Sequence, residues 1–192
     1  MNELYLLFLK SVYLLIPAYF ANMAPPLAKK LGWLEFLNVS VDKGRVFSDK
    51  RPLFGKNKTY RGFVVGIIGG IIGAYLQMFL LRVPFFDSIT LNTELYSSHI
   101  TVIIIGMLLG FGAIAGDLIK SFFKRRFSFN SGESFVPWDQ TDLVMGAYLF
   151  ALPLIYMYVS WQMFLISIIS TFFLHIIVNH IAFYSHIRKE KW

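Results

Sequence analysis

Five stretches of this chain stay apolar for about the length that crosses a bilayer: 4–20, 63–81, 100–116, 143–159 and 162–184. A span needs roughly 20 apolar residues to cover about 30 Å of hydrocarbon. Inside that medium every backbone polar group must find a partner within the protein, so such stretches fold as helices. The chain is therefore expected to be an all-α integral membrane protein with about five transmembrane helices, 1–192 forming a single polytopic membrane domain. Composition agrees: 56% of the 192 residues are hydrophobic and only 15% are charged, too few charges to surround a soluble core of this size. The absence of cysteine excludes disulfides and thiolate metal sites. Glu3, rather than a basic stretch, precedes the first apolar run, which argues against a cleaved signal peptide.

Where the charges fall sets the orientation. Of the 18 Lys and Arg, all but Lys10 and Arg82 lie in segment 29–61, in segment 117–142 or in the tail after residue 187. The positive-inside rule then puts the N-terminus outside, the C-terminus in the cytoplasm, and two cytoplasmic loops at about 23–62 and 117–142. Confinement of the charge to these loops also argues against a nucleic-acid partner. Lys10, inside the first span, either snorkels or faces a wet cavity. The Asn22–Pro26 stretch, with its paired prolines, is expected to end the first helix.

The second loop and its flanks, GDLIKSFFKRRFSFNSGESFVPWDQTD (116–142), carry the densest chemistry. Continued as a helix at about 100° per residue, Asp117, Lys120, Ser121 and Lys124 fall on one narrow arc. Asp139 and Asp142 are i and i+3 where the chain re-enters the membrane. Simple capping accounts for one of them, since carboxylates favour a helix N-terminus. Three Asp facing ammonium groups suggest a metal-phosphate site, because Mg²⁺ uses one or two carboxylates, waters and substrate phosphate oxygens. The competing reading is a solvated basic loop. Glu133, in the turn Asn130–Glu133, is a further candidate ligand or base.

The first loop ends in RPLFGKNKTYRG (51–62), with Lys56, Lys58 and Arg61 around Gly55 and Thr59, just before a helix N-terminus that favours an anion. Position 50 is Lys where a Walker A motif needs Gly, so a P-loop is not supported. A basic loop on anionic lipid fits the same residues. Gly62, Gly66 and Gly70, Gly69 and Gly73, and then Gly106, Gly110 and Gly112 form small-residue faces that let helix backbones approach. If spans two and three touch, the two basic loops come together. Ser167, Thr171, His175 and Asn179 make a polar stripe on span five, read as structural hydrogen bonding or the lining of a substrate cavity. The four histidines are too scattered for a metal cluster.

RPLFGKNKTYRG followed after two spans by GDLIKSFFKRR and PWDQTD resembles the CDP-archaeol synthases, which are similar to the bacterial CDP-diacylglycerol synthases. The resemblance covers both loops and the five-span layout, in effect the whole chain. It departs from the bacterial enzymes, which carry Gly-Gly and D-R-x-D near the last Asp pair where this chain has PWDQTD. The resemblance implies a membrane cytidylyltransferase that moves CMP from CTP to a lipid phosphate, releasing pyrophosphate with Mg²⁺ as cofactor. Asp117, Asp139 and Asp142 would hold the metal, and Lys56, Lys58, Arg61, Lys120, Lys124 and Arg125 the phosphates, with Thr59 and Ser121 as hydroxyl donors. Partners would be CTP, the lipid phosphate and membrane lipids, with a homodimer possible. A CDP-alcohol phosphotransferase lacks support because its D-G-x-x-A-R signature is missing. The non-enzyme alternative is a small anion transporter or lipid-binding scaffold, which would need charge deep within the spans.

Overall fold

The computed structural model describes residues 2–129, 133 and 135–184, with side chains at all of these except 179, 181 and 182. Residues 130–132 of the expected turn Asn130–Glu133, the basic tail and the Asn179 side chain fall outside that set.

The first apolar stretch forms α1 (Glu3–Leu14) and α2 (Ile16–Leu31), bent by 42° at Leu15. The bend has a local cause. Pro17 has no N–H to give to the Tyr13 carbonyl one turn earlier, and its ring crowds that oxygen. The carbonyl is satisfied from α3 (Tyr60–Leu80) instead: Gln77 Nε2, fully buried, donates to it at 2.5 Å, while Tyr96 Oη donates to Gln77 Oε1 at 2.9 Å.

The expected stop at Asn22–Pro26 is not there. α2 runs through Pro25 and Pro26 to Leu31 and ends at Gly32, whose φ of 67° is left-handed. Packing overrides the local preference. α2 lies along a glycine face of α3, with Pro25 beside Gly62 and Ala24 beside Gly69, and close backbone contact of this kind is what drives helix association in lipid.

After α3 the chain turns through α4 (Pro84–Ile89) and a 3₁₀ turn (Thr93–Tyr96) into α5 (His99–Arg126), whose start is fixed by a capping box between Ser98 and Thr101. The second and third spans do touch. A Cβ on Gly70 would come within 2.5 Å of the Gly106 carbonyl oxygen and 2.7 Å of the Gly110 Cα, so only glycine permits this crossing.

α6 (Trp138–Ile155) makes the most extensive helix–helix contact, against α5. Leu14, Leu15, Val102, Ile105, Leu109 and Val144 fill the centre between α1, α2, α5 and α6. α7 (Trp161–Tyr184) packs mainly on α1 and α6. Hydrogen bonds tie it to α2 and α6: Tyr19 Oη with Thr171 Oγ1 at 2.7 Å and Tyr148 Oη with Ser167 Oγ at 2.8 Å. For Ser167 and Thr171 the polar stripe is thus structural.

Among the described residues, α3, α5 and α7 are long and apolar enough to cross a membrane, and the bent α1–α2 path makes a fourth candidate. α6 opens with Trp138–Asp139–Gln140–Thr141–Asp142, so its apolar part begins only at Leu143.

Candidate active site

At 28 residues, α5 is about 42 Å long against about 30 Å of hydrocarbon, and its apolar run stops at Gly116, before the charged Asp117–Arg126 end. The sequence arc survives in three dimensions. Lys120 Nζ lies 3.0 Å from Asp117 Oδ1, 3.0 Å from Asp139 Oδ1 and 2.8 Å from Asp142 Oδ2. Lys58, from the first loop, reaches Asp117 Oδ2 at 2.5 Å, and Lys124 Nζ sits 3.5 Å from Asp139 Oδ2 and donates to the Glu133 carbonyl. Three carboxylates face three ammonium groups, the Lys120 side chain only 13% exposed. Charges this sheltered persist only when paired.

Backbone N–H groups around the start of α6 orient two of the carboxylates. Asp139 Oδ2 accepts the Phe135 N–H at 2.6 Å and Asp142 Oδ1 the Leu143 N–H at 2.8 Å. What brings Asp142 to Asp117 is a second glycine crossing, between α5 and α6: a Cβ on Gly116 would overlap the Asp142 carbonyl oxygen, and one on Gly146 would overlap that of Gly112.

Not every residue expected to touch phosphate is brought here. Arg61 is 4% exposed and turns away, donating to Glu35 Oε1 at 2.5 Å and Asn38 Oδ1 at 3.1 Å. It anchors the 3₁₀ turn Glu35–Leu37 to the start of α3. Thr59 Oγ1 caps α3 by accepting the Gly62 N–H at 3.2 Å, and the buried Ser121 hydroxyl donates to the Asp117 carbonyl at 2.7 Å. Lys56 is exposed. Arg125 donates to the Phe129 carbonyl at 2.7 Å and its guanidinium lies beside Gly55.

Residues that sequence reasoning passed over hold the first loop on α5. Arg51 Nη1 donates to the carbonyls of Arg125 (3.1 Å) and Arg126 (2.5 Å), which the end of the helix leaves without intrahelical partners. Arg126 lies over the Phe122 ring at 4.0 Å and the Phe47 ring at 4.8 Å and donates to the Pro52 carbonyl at 2.8 Å. Asp42, 5% exposed, takes hydrogen bonds from Ser40, Gly44, Phe54 and Gly55. Burial by itself would raise its pKa, but the bonds from Ser40, Gly55, Phe54 and Gly44 together outweigh that and hold it at about 2. Its one sequence signal is the Ser40-x-Asp42-x-Gly44 spacing of a side-chain-capped turn.

Lys120 and Asp142 also stand at the polar end of a cavity of about 1290 Å³, walled along α6 by Met145, Leu149 and Leu152 and reaching Trp161 and Phe164 of α7. It therefore joins the charged cluster to an apolar groove.

Hard oxygen donors suit a Mg²⁺ ion, and one oxygen from each Asp points to the common place now taken by the Lys120 ammonium. No preformed cage of three His, Cys, Asp or Glu exists among the described residues, but Mg²⁺ does not require one. The donor set fits the ion.

An all-helical chain with its charged cluster at one end of an apolar groove defines an intramembrane enzyme acting where lipid meets water. Residues 4–192 match the family model CarS-like: CDP-archaeol synthase, and the chain belongs to that family. The CDP-archaeol synthase of Methanococcoides burtonii is 33% identical over 93% of this chain and 100% of that protein. The CDP-archaeol synthase of Methanocaldococcus jannaschii is 32% identical over 98% of this chain and 99% of its own. The fold is similar to the solved structure of an intramembrane enzyme for archaeal membrane lipid biosynthesis, with a TM-score of 0.67 and 25% identity, covering 88% of this chain and 91% of that one.

Proposed function

We propose that the protein transfers the cytidylyl group of CTP to the phosphate of an archaeal lipid, giving CDP-archaeol and pyrophosphate. The observation that carries the reading is the Lys120 cluster at the mouth of the apolar groove: the phosphate chemistry and a place for lipid chains meet at one point. An oxygen of the lipid phosphate attacks the α-phosphorus of CTP, the bond from that phosphorus to the bridging oxygen breaks, and pyrophosphate leaves. No protein nucleophile is needed, so catalysis is positioning and charge neutralisation.

Lys58, Lys120 and Lys124 supply the ammonium groups for phosphate oxygens, with Lys56 and Arg125 at the rim. Asp117, Asp139 and Asp142 would hold Mg²⁺, which when bound offsets phosphate charge. The groove beside α6 takes hydrocarbon while the headgroup stays at Lys120. The expected five-span layout, with the N-terminus outside and both loops in the cytoplasm, would put this cluster where CTP is available at the cell membrane.

The test is purified protein with CTP, Mg²⁺ and an archaeal ether-lipid phosphate, following pyrophosphate and the CDP-lipid. Asp117→Asn and Asp139→Asn should each lower kcat by about 10²-fold or more while the protein stays folded. A near-unchanged rate in Asp139→Asn at saturating Mg²⁺ would remove that residue from the metal set, and no pyrophosphate from any lipid phosphate would sink the reading.

A further inference from the structure

Asp42 is a buried carboxylate in an exposed loop, residues 43–50 all facing solvent, and among the described residues it forms no ion pair. Its partners are donors on two separated arms of the loop. Oδ1 accepts from Ser40 Oγ and from Gly44 N at 3.0 Å; Oδ2 accepts from Phe54 N at 3.0 Å and Gly55 N at 2.9 Å. Only an ionised carboxylate offers four acceptor sites of this kind at one place.

The arm it holds leads directly to the cluster. Gly55 has a φ of 96° and its carbonyl accepts the Lys58 N–H at 3.1 Å. Val41, next to Asp42, donates to the Lys58 carbonyl at 2.7 Å, so the Lys58 backbone is gripped from both sides. Its side chain then runs to Asp117.

We propose that Asp42 is a positioning residue: its carboxylate fixes the Gly55–Lys58 turn and thereby aims the Lys58 ammonium at Asp117 and at the phosphates of the nucleotide. The nucleotide part rests on the function proposed above; the aiming of Lys58 does not.

The two parts are tested separately. In a double-mutant cycle, Asp42→Asn should raise the KM for CTP about tenfold with kcat little changed, and should add almost nothing in a Lys58→Ala background. A merely structural role gives the same effect in both backgrounds, and that outcome would overturn the proposal. Independently of turnover, acetylation with an amine-reactive reagent, read by mass spectrometry, should modify Lys58 about fivefold faster in Asp42→Asn and leave Lys56 unchanged. Unchanged Lys58 labelling also overturns it. Ser40→Ala, which removes one of the four donors, should move both readouts the same way by less, and it decides the matter if Asp42→Asn does not fold. Should the parent protein fail to turn over CTP, the functional reading falls while the labelling still decides where Lys58 is aimed.

Discussion

Lys58, in the first loop, and Arg61, in the first turn of α3, are three residues apart, yet their side chains serve different ends. Lys58 meets Asp117 in the cluster, whereas Arg61 is buried against Glu35 and Asn38. Lys58→Ala is therefore expected to raise the KM for CTP strongly. Arg61→Ala should leave that KM nearly unchanged and lower the midpoint of thermal unfolding. The drop is modest, because the Glu35 side chain is 58% exposed and water screens much of the pair. Titration of CTP against rate, with a melting curve for each variant, separates the two roles. Asp42 carries a pH dependence with a definite sign. Its folded pKa, about 2, lies below the ordinary value of 3.8, so its contribution is fully present above about pH 4 and is lost as pH falls towards 2. Hydrogen exchange at the amides of Gly44, Phe54 and Gly55 should lose protection over that interval before the helices do.

Helices α5 and α6 are held so close that side chains are excluded where they cross. A methyl group at Gly116 would overlap the Asp142 carbonyl, so Gly116→Ala must push α6 outward and carry Asp142 away from Lys120. Overpacking of this kind costs about 1–3 kcal/mol, and the rate should fall more steeply than stability because the carboxylate moves with the helix. Thermal stability and kcat measured on the same preparation give the comparison. The groove makes a different demand on α6. Leu149 lines its apolar length away from the charged end. Leu149→Trp should raise the KM for the lipid phosphate and leave the KM for CTP unaltered, and equal effects on both would show that the groove does not hold the chains.

At the scale of the molecule, the proposed orientation rests on where the basic residues lie, and all but Lys10 and Arg82 belong to the two loops and the tail. A reporter fused after Trp192 is expected to face the cytoplasm. Its exposure on the outside would put the charged cluster on the side without nucleotide. α7 also matters at this scale. A few hydrogen bonds tie it to α1, α2 and α6, and the wall it adds completes the groove from Lys120 to Trp161.

The membrane class, the helical content and the arc of Asp117, Lys120 and Lys124 were legible in the order of residues, because hydropathy and helical period are local properties of neighbouring residues. Its glycine spacing also foretold the contact between α3 and α5 that unites the loops. The rest depends on long-range contacts. Whether Arg61 faces phosphate or Glu35, and whether paired prolines end α2, depends on partners 23 or more residues away or on packing against another helix. The convergence of three Asp on one ammonium requires α5 and α6 to cross at Gly112, Gly116 and Gly146, and Asp42 acquires its four donors only once the loop has closed. Contacts between residues far apart in the chain leave no period to read, because they arise only where the folded backbones touch.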